Sequence, residues 1–568
     1  MTAKRHLHAI PLTLLLALPA WSQSAPDAGA ALRRLDQERK PALPAAAPPL
    51  QVPAAATPSA SGLRAAVSAF KFDGNTLLDE AQLRLAVQSY LDRPLSFVEL
   101  QGAAQAVAKA YRDAGWMVRA YLPQQDFTAT SGTVTIKIVE AVVGKILTEE
   151  NGSPRVKAEQ VAAMFSAHLQ AGQAMRADAL DHALLLADDL PGIAVTGSLR
   201  KGEKAGETDI ALRISQQPLL SGDVGIDNTG ARSTGATQLT ASLMLASPFG
   251  LGDTVSAQLT HTEGSDYQRL GASLPVGHDG LRLGLNFSAL SYRLVAPEFD
   301  ALQAKGSAST LGLEASYPVI RSRQENLSLR AHLDHKGYDN QSNGATASNY
   351  QVNALKLGLN GNRFDAYLGG GVNSAALDLT LGNLDLGGSP NQATDASTTQ
   401  SAGGFSKLNF QLSRLQSLSP HVVLYGELSG QWADKNLDSS EKFYLGGANG
   451  VRAYPSSEGG GAAGHIVKLE LRWSPLASYT LSGFYDHGQI TINSHNGFTG
   501  AAAPNTYNLD GAGISLDWRG DLIMGVRPHL NLTWAHRMGS NPNALSSGQD
   551  QDGSLNRDRI WLFANLQF

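Results

Sequence analysis

Leu445–Gly464 reads LGGANGVRAYPSSEGGGAAG, and His465–Trp473 continues it as HIVKLELRW. The first part is too long and too glycine-rich for a tight hairpin turn. The second alternates: Val467, Leu469, Leu471 and Trp473 take one face, Lys468, Glu470 and Arg472 the other. A period of two is the signature of a strand with unlike faces. One face suits lipid and the other water, as in a transmembrane barrel strand. At the centre of the loop a single cation, Arg452, lies between Val451 and the Ala453-Tyr454 pair. Downstream, Gly483–Gly488 (GFYDHG) supplies a carboxylate, Asp486. The loop is expected to fold back into the barrel. Taken from the residues alone, Arg452 either meets Asp486 on the inner wall or remains a solvated loop arginine, as loop charges usually are.

The alternation extends back to Leu219 and on to the last residue. Leu281, Leu283, Leu285 and Phe287 alternate with Arg282, Gly284, Asn286 and Ser288. Leu327, Leu329, Ala331 and Leu333 alternate with Ser328, Arg330, His332 and Asp334. About sixteen such segments follow one another, joined alternately by short turns and longer loops. Pro248–Asp253, Gly277–Gly280 and Pro475–Ser478 read as turns. Gly337–Asn349, Thr380–Gln400, Asn493–Asn505 and Gly539–Asp558 read as long loops. Ile560–Phe568 alternates to a terminal aromatic, the pattern of a last barrel strand that is also a signal for assembly. Past the N-terminus there is no apolar run of about eighteen residues, so no helix is expected to span a membrane. A membrane protein without one must be a closed barrel, because lipid cannot satisfy free backbone groups. A soluble sandwich or propeller fits poorly, since the polar positions are too charged for a second buried face.

Upstream the period changes. Residues 1–22 carry Lys4 and Arg5, a short apolar run and small residues at Ala20-Trp21-Ser22, as a secretory signal does. Residues 23–40 contain one short polar helix over Ala28–Lys40, with too little apolar face to belong to a core. Residues 41–66 are rich in Pro and Ala and read as an extended, semi-rigid tether. Residues 67–141 form a βααββ unit, with Ser96 and Glu99 placed as a capping box. Residues 142–216 repeat that plan, so the two units suggest a jointed arm. Residues 217–568 are the barrel. The fold class is thus α+β arm domains plus an all-β membrane domain.

Composition excludes other classes. A net charge of −5 gives no reason to expect a nucleic-acid partner. The absence of cysteine rules out disulfides and thiolate metal sites. The fourteen histidines form no H-E-x-x-H motif, and no G-x-S-x-G elbow occurs. The glycine clusters at Gly369–Gly371 and Gly459–Gly464 do not lead from a strand into a helix, so they are not phosphate loops. No enzyme, cofactor or metal is expected.

Four local signals resemble one family. Val451-Arg452-Ala453-Tyr454 is similar to a V-R-G-Y/F loop tip. Phe484-x-Asp486-x-Gly488 is similar to an F-x-D-x-G strand motif. Asp227-Asn228-x-Gly230 with Thr234-Gly235 resembles a first-strand signature, and Pro248–Asp253 resembles the turn after the second strand. Together, with the loop falling between the eleventh and twelfth strands, they resemble two-partner secretion outer-membrane transporters (TpsB-type, the filamentous haemagglutinin/haemolysin secretion-activation family). The one departure is Ala453 where the pattern has Gly; its methyl restricts positive φ. The resemblance implies a plug helix, two tandem polypeptide-transport-associated (POTRA) domains in the periplasm and a sixteen-stranded barrel in the bacterial outer membrane. It makes the Arg452–Asp486 pair the better reading, with Phe484 and Tyr454 packed around it. It also implies the function: an unfolded exoprotein (adhesin, haemolysin or toxin class) is recognised in the periplasm and exported through the barrel. Outer-membrane lipid and the barrel-assembly machinery are the other implied partners. An assembly or insertion factor of the same superfamily is the alternative, and a passive porin would leave the arm unexplained. The helix is expected inside the barrel at rest.

Overall fold

The computed structural model describes residues 26–38, 64–125, 132–151, 154–204, 206–456 and 458–568. The expected signal and most of the tether lie outside these residues. Sixteen antiparallel strands, from Leu220–Asp227 to Asp558–Gln567, close into one barrel in sequence order. The alternation explains their orientation. Leu283, Leu285 and Phe287 are exposed on the outer wall, while Asn286 and Ser288 are buried on the inner one. Phe563–Gln567 pairs with Asp227–Asp223 to close the ring over a ladder shorter than any other in the barrel.

Two expected loops are shorter than the sequence reading had them. Gly337–Asn349 is mostly strand: Glu325–Ser342 turns directly into Ala345–Asp365. The cause is Asn343-Gly344, both at positive φ (50° and 78°), the conformation a two-residue hairpin needs. Polar side chains there mark a hairpin that projects into water, not a loop. Likewise, strand Gly371–Asp385 extends into the expected loop Thr380–Gln400, and a short helix, Gln392–Ser397, occupies part of what is left.

The arm has two units of like topology. In the first, Ala69–Asp73 pairs parallel with Thr133–Glu140, which pairs antiparallel with Val118–Tyr121. Helices Glu80–Val87 and Phe97–Asp113 cover that sheet, and Ser96 and Glu99 make the capping box. The chain enters earlier than residue 67: Arg64–Val67 pairs with Arg93–Ser96. Pro94 therefore sits in a short two-stranded edge, where a missing N–H is tolerated. In the second unit Val142–Asn151, Glu207–Gln216 and Ile193–Lys201 repeat the sheet, under helices Ala158–His168 and Ala177–Asp188.

The second unit is clamped to the short turns at one end of the barrel. Arg321 makes two bonds of 2.7 Å to Asp189, and Arg323 Nε bonds Asp181 at 3.1 Å. The turn Pro248–Asp253 packs against the same unit. A Cβ on Gly252 would stand 2.8 Å from Leu190, so glycine is required there for close approach as well as for its φ of 72°.

Candidate functional site

Between the eleventh strand (Val422–Ala433) and the twelfth (Ala463–Leu476) the chain turns into the lumen. Phe443-Tyr444 pairs with Gly460-Gly461 to form the neck of the loop. Leu445 and Gly446 both donate backbone N–H to the carbonyl of Glu458, and Val451 donates to Leu445 at 2.7 Å. The tip is buried: Val451 and Ala453 have no exposed surface and Tyr454 has 1%.

Arg452 is the centre of the site. Its Nε and Nη2 donate to the two oxygens of Asp486 at 2.8 and 2.6 Å, and its backbone N–H donates to the same carboxylate at 3.1 Å. Nη1 donates to Glu470 at 2.8 Å. The guanidinium lies over the Phe484 ring, 3.4 Å from its centroid. Asp486 is completely buried, and a buried carboxylate needs such a partner. The two-toothed geometry suits arginine and excludes an equal lysine substitute.

The surrounding glycines make room. A Cβ on Gly488 would come within 2.9 Å of Val451, and one on Gly513 within 2.6 Å of Phe484. Ala453 faces Gly511, whose missing Cβ leaves space for the alanine methyl. Ala453 is not among the residues at positive φ, so the departure from glycine carries no backbone strain.

The first-strand signature lies elsewhere, at the barrel seam. Asn228 clips the first strand to the last, donating to Ile560 O at 2.9 Å and accepting from Leu562 N at 2.8 Å. Asp227 accepts from the N–H and hydroxyl of Thr229. Gly230 packs against the carbonyls of Gly235 and Ala236, where no side chain would fit, and Thr234 O accepts from Thr262. Between these motifs, Thr229 O accepts from Ser456 of the loop at 2.8 Å and from Arg34 at 3.4 Å.

Arg34 belongs to the helix Ala28–Glu38, which lies within the barrel. Its apolar stripe is narrow but sufficient, contrary to the sequence reading: Ala28, Leu32 and Leu35 pack on Tyr267, Tyr292, Tyr338 and Tyr350 of the inner wall. The wall supplies the apolar surface that a polar lumen would not be expected to have. Arg33 Nε donates to Lys442 O at 2.9 Å, and Gln37 to Tyr444 O at 2.9 Å, so helix and loop are joined. Beneath them Glu441 bridges Lys336 and Lys407 at 2.9 and 2.6 Å. At the helix start Asp27 accepts from Ala30 N and Ser439. Burial and the neighbouring Asp438 push its carboxyl up to about 6.

Sequence reasoning missed Glu470, Glu458 and Trp561. Glu470 was legible as a lumen-facing charge two residues from Lys468. Glu458 is buried and accepts from Asn541 Nδ2 at 3.0 Å and from Gln551 N at 2.9 Å, tying the loop to the long loop before the last strand. Burial raises its carboxyl to about 7. Trp561 Nε1 donates to Arg452 O at 2.8 Å. Among the described residues no group of acidic or histidine side chains is placed to hold a metal ion.

A closed barrel, an internal helix, an inward-folded loop and a two-unit arm together define an outer-membrane transporter of the type that carries POTRA domains. Residues 206–518 match the family profile of the haemolysin secretion/activation protein ShlB/FhaC/HecB, and residues 65–141 match the ShlB-type POTRA domain. The chain belongs to the haemolysin secretion/activation family, the two-partner secretion transporters of the bacterial outer membrane. It is 26% identical over 455 residues to the heme/hemopexin transporter protein HuxB of Haemophilus influenzae, spanning 78% of this chain and 79% of that protein. To the outer membrane transporter CdiB of Dickeya dadantii it is 24% identical over 448 residues, 76% of this chain and 77% of that one. The structure of CdiB from Escherichia coli shares the fold with a TM-score of 0.68 at 19% identity, covering 96% of this chain and all of that one. BamA from Haemophilus ducreyi lacking POTRA domains 1–3 aligns with a TM-score of 0.53 at 16% identity, over 89% of this chain and all of that one.

Proposed function

We propose that the barrel exports one large secreted partner protein, and that Arg452 sets the resting position of the loop that lines its path. The observation that carries this reading is the joint occupation of the lumen: the helix and the loop bond each other, and Arg452 pins the loop to Asp486 and Glu470. The partner reaches the periplasm unfolded and docks in an extended form. An exposed edge of the second unit, Val142–Asn151 or Ile193–Lys201, offers main-chain groups for strand addition. The helix then leaves the lumen, and folding of the partner outside draws the chain through. Outer-membrane lipid surrounds the wall, and the barrel-assembly machinery inserts it. HuxB is named for heme/hemopexin and the family profile for haemolysin, so a haem-binding protein, a haemolysin, another toxin and an adhesin are all candidates. An assembly factor is the second reading, resting on the shared fold with BamA alone. The test is co-expression with a candidate large signal-bearing exoprotein, sought among the reading frames beside this one, followed by assay of the culture supernatant. Exoprotein that appears only with the transporter supports export. A transporter that changes the insertion of other barrels but not the supernatant supports the second reading.

A further inference from the structure

The barrel strands carry two lumen-facing histidines, His332 and His529, and five that face outward: His261, His335, His465, His487 and His536. The outward five share one position. Each is the next outward-facing residue, on the extracellular side, beyond the last large apolar or aromatic side chain of its strand. Those side chains are Leu259, Leu333, Val467, Tyr485 and Trp534 respectively. Tyr and Trp at this level mark the edge of the hydrocarbon band.

Four of the five make the same contact. Nδ1 lies 2.7 Å from Asp266 in His261, 2.8 Å from Asn353 in His335, 2.8 Å from Asp510 in His487 and 2.9 Å from Asp558 in His536. In every case the partner is the residue directly opposite on the next strand. His465 instead lies beside His487, with ring centroids 6.0 Å apart. Neutral pairs directly opposite each other stand further out on the same strands, Gln489 with Asn508 and Thr491 with Thr506 at 3.0 Å, and they hold no group that can carry a positive charge. A repeated cross-strand pair does something more: it fixes the ring through one nitrogen and leaves the other, Nε2, directed away from that partner. A protonated imidazole donates from both nitrogens, so Nε2 becomes a charged donor that the strand partner does not use.

What lies at that level is the headgroup layer of the outer leaflet, whose glycolipids carry phosphate groups. We infer that these histidines form a collar that binds the phosphates of outer-leaflet lipopolysaccharide and fixes the height of the barrel in the membrane. Charge-assisted bonds to phosphate oxygens are the interaction such donors are suited to make.

The test uses the purified full chain in mild detergent at pH 6, as wild type and as the triple variant His261→Gln/His487→Gln/His536→Gln. Glutamine keeps a polar group for the strand partner and lacks the imidazole. Retained lipopolysaccharide is counted by native mass spectrometry, with heat-modifiable gel mobility reporting that both barrels are folded. The wild type should retain the intact glycolipid about eightfold better, roughly twofold for each of three exposed contacts. Dephosphorylated glycolipid should bind both proteins equally weakly, and inorganic phosphate should not displace the lipid. Should the triple variant fail to fold, His261→Gln alone should show about a twofold loss. Equal retention by folded wild type and variant overturns the proposal. So does equal retention of the dephosphorylated lipid by the wild type, or displacement by inorganic phosphate, which would mark a site for the free ion.

Discussion

Arg452→Ala should release the loop without opening the barrel. The substitution removes the three side-chain bonds to Asp486 and Glu470 and the contact with the Phe484 face. Asp486, fully buried, then keeps only the backbone N–H of residue 452. Breaking a buried pair by removing one partner costs about 3–5 kcal/mol. A middle value of about 4 kcal/mol lowers the ratio of pinned to unpinned loop roughly a thousandfold. Asp486→Ala should cost less, about 2 kcal/mol, because Arg452 retains Glu470 as an acceptor. The double variant should be little worse than Arg452→Ala alone, since the two residues form one contact. Arg452→Lys should rescue only partly, because one ammonium cannot serve two carboxylates in this geometry. The barrel ladder does not pass through the loop tip, so membrane insertion should be unchanged.

The chain has no cysteine, which provides a direct assay. A cysteine placed at the buried Val451 is the single thiol, and its rate of maleimide labelling on folded barrels reports loop release. Labelling should be slow with Arg452 present and fast in Arg452→Ala. Secreted exoprotein, normalised to folded barrel, should fall in the same order of variants. Unchanged labelling together with unchanged secretion would refute the reasoning, and fully additive losses in the double variant would show that the residues matter without meeting.

Deleting residues 26–38 should raise single-channel conductance, since the helix occupies the lumen; unchanged conductance would mean that it does not obstruct the path. Docking of that helix should weaken as pH rises from about 4 to 6. Asp27 is raised from 3.8 to about 6 when docked, so the docked state holds the extra proton in that window and is penalised above it. Conductance should therefore be higher at pH 7 than at pH 5, and Asp27→Asn should flatten the difference. Arg321→Ala with Arg323→Ala removes the clamp to Asp189 and Asp181 and should broaden spin-label distances between arm and barrel while leaving both folded. A proline in an edge strand of the second unit should reduce secretion and spare insertion; normal secretion from several such variants would move the docking site elsewhere.

Much of this architecture is written in short-range patterns. Alternation announces a barrel strand wherever one wall meets lipid, and Ser96 with Glu99 announces a helix start. The loop could be located because glycine interrupts alternation so abruptly at Leu445–Gly464. Contacts between distant residues left fainter marks. Nothing near Trp561 in the chain points to the carbonyl of Arg452, more than a hundred residues away. Glu441 looks like any loop acid until Lys336 and Lys407 are brought beside it. The helix Ala28–Glu38 appeared too polar for a core because its apolar complement, four tyrosines, comes from strands far downstream. Asn343-Gly344 was legible in principle, but the polar residues around it disguised strand as loop.

The central claim is that the partner chain passes through the lumen now filled by the helix. A photoreactive amino acid at Lys336, which faces that space, tests it directly when export is stalled by a partner fused to a rapidly folding domain. The resting transporter should cross-link to its own helix, and the stalled one to the exoprotein. Cross-links to the helix alone in the stalled state, with exoprotein still reaching the surface, would contradict the account.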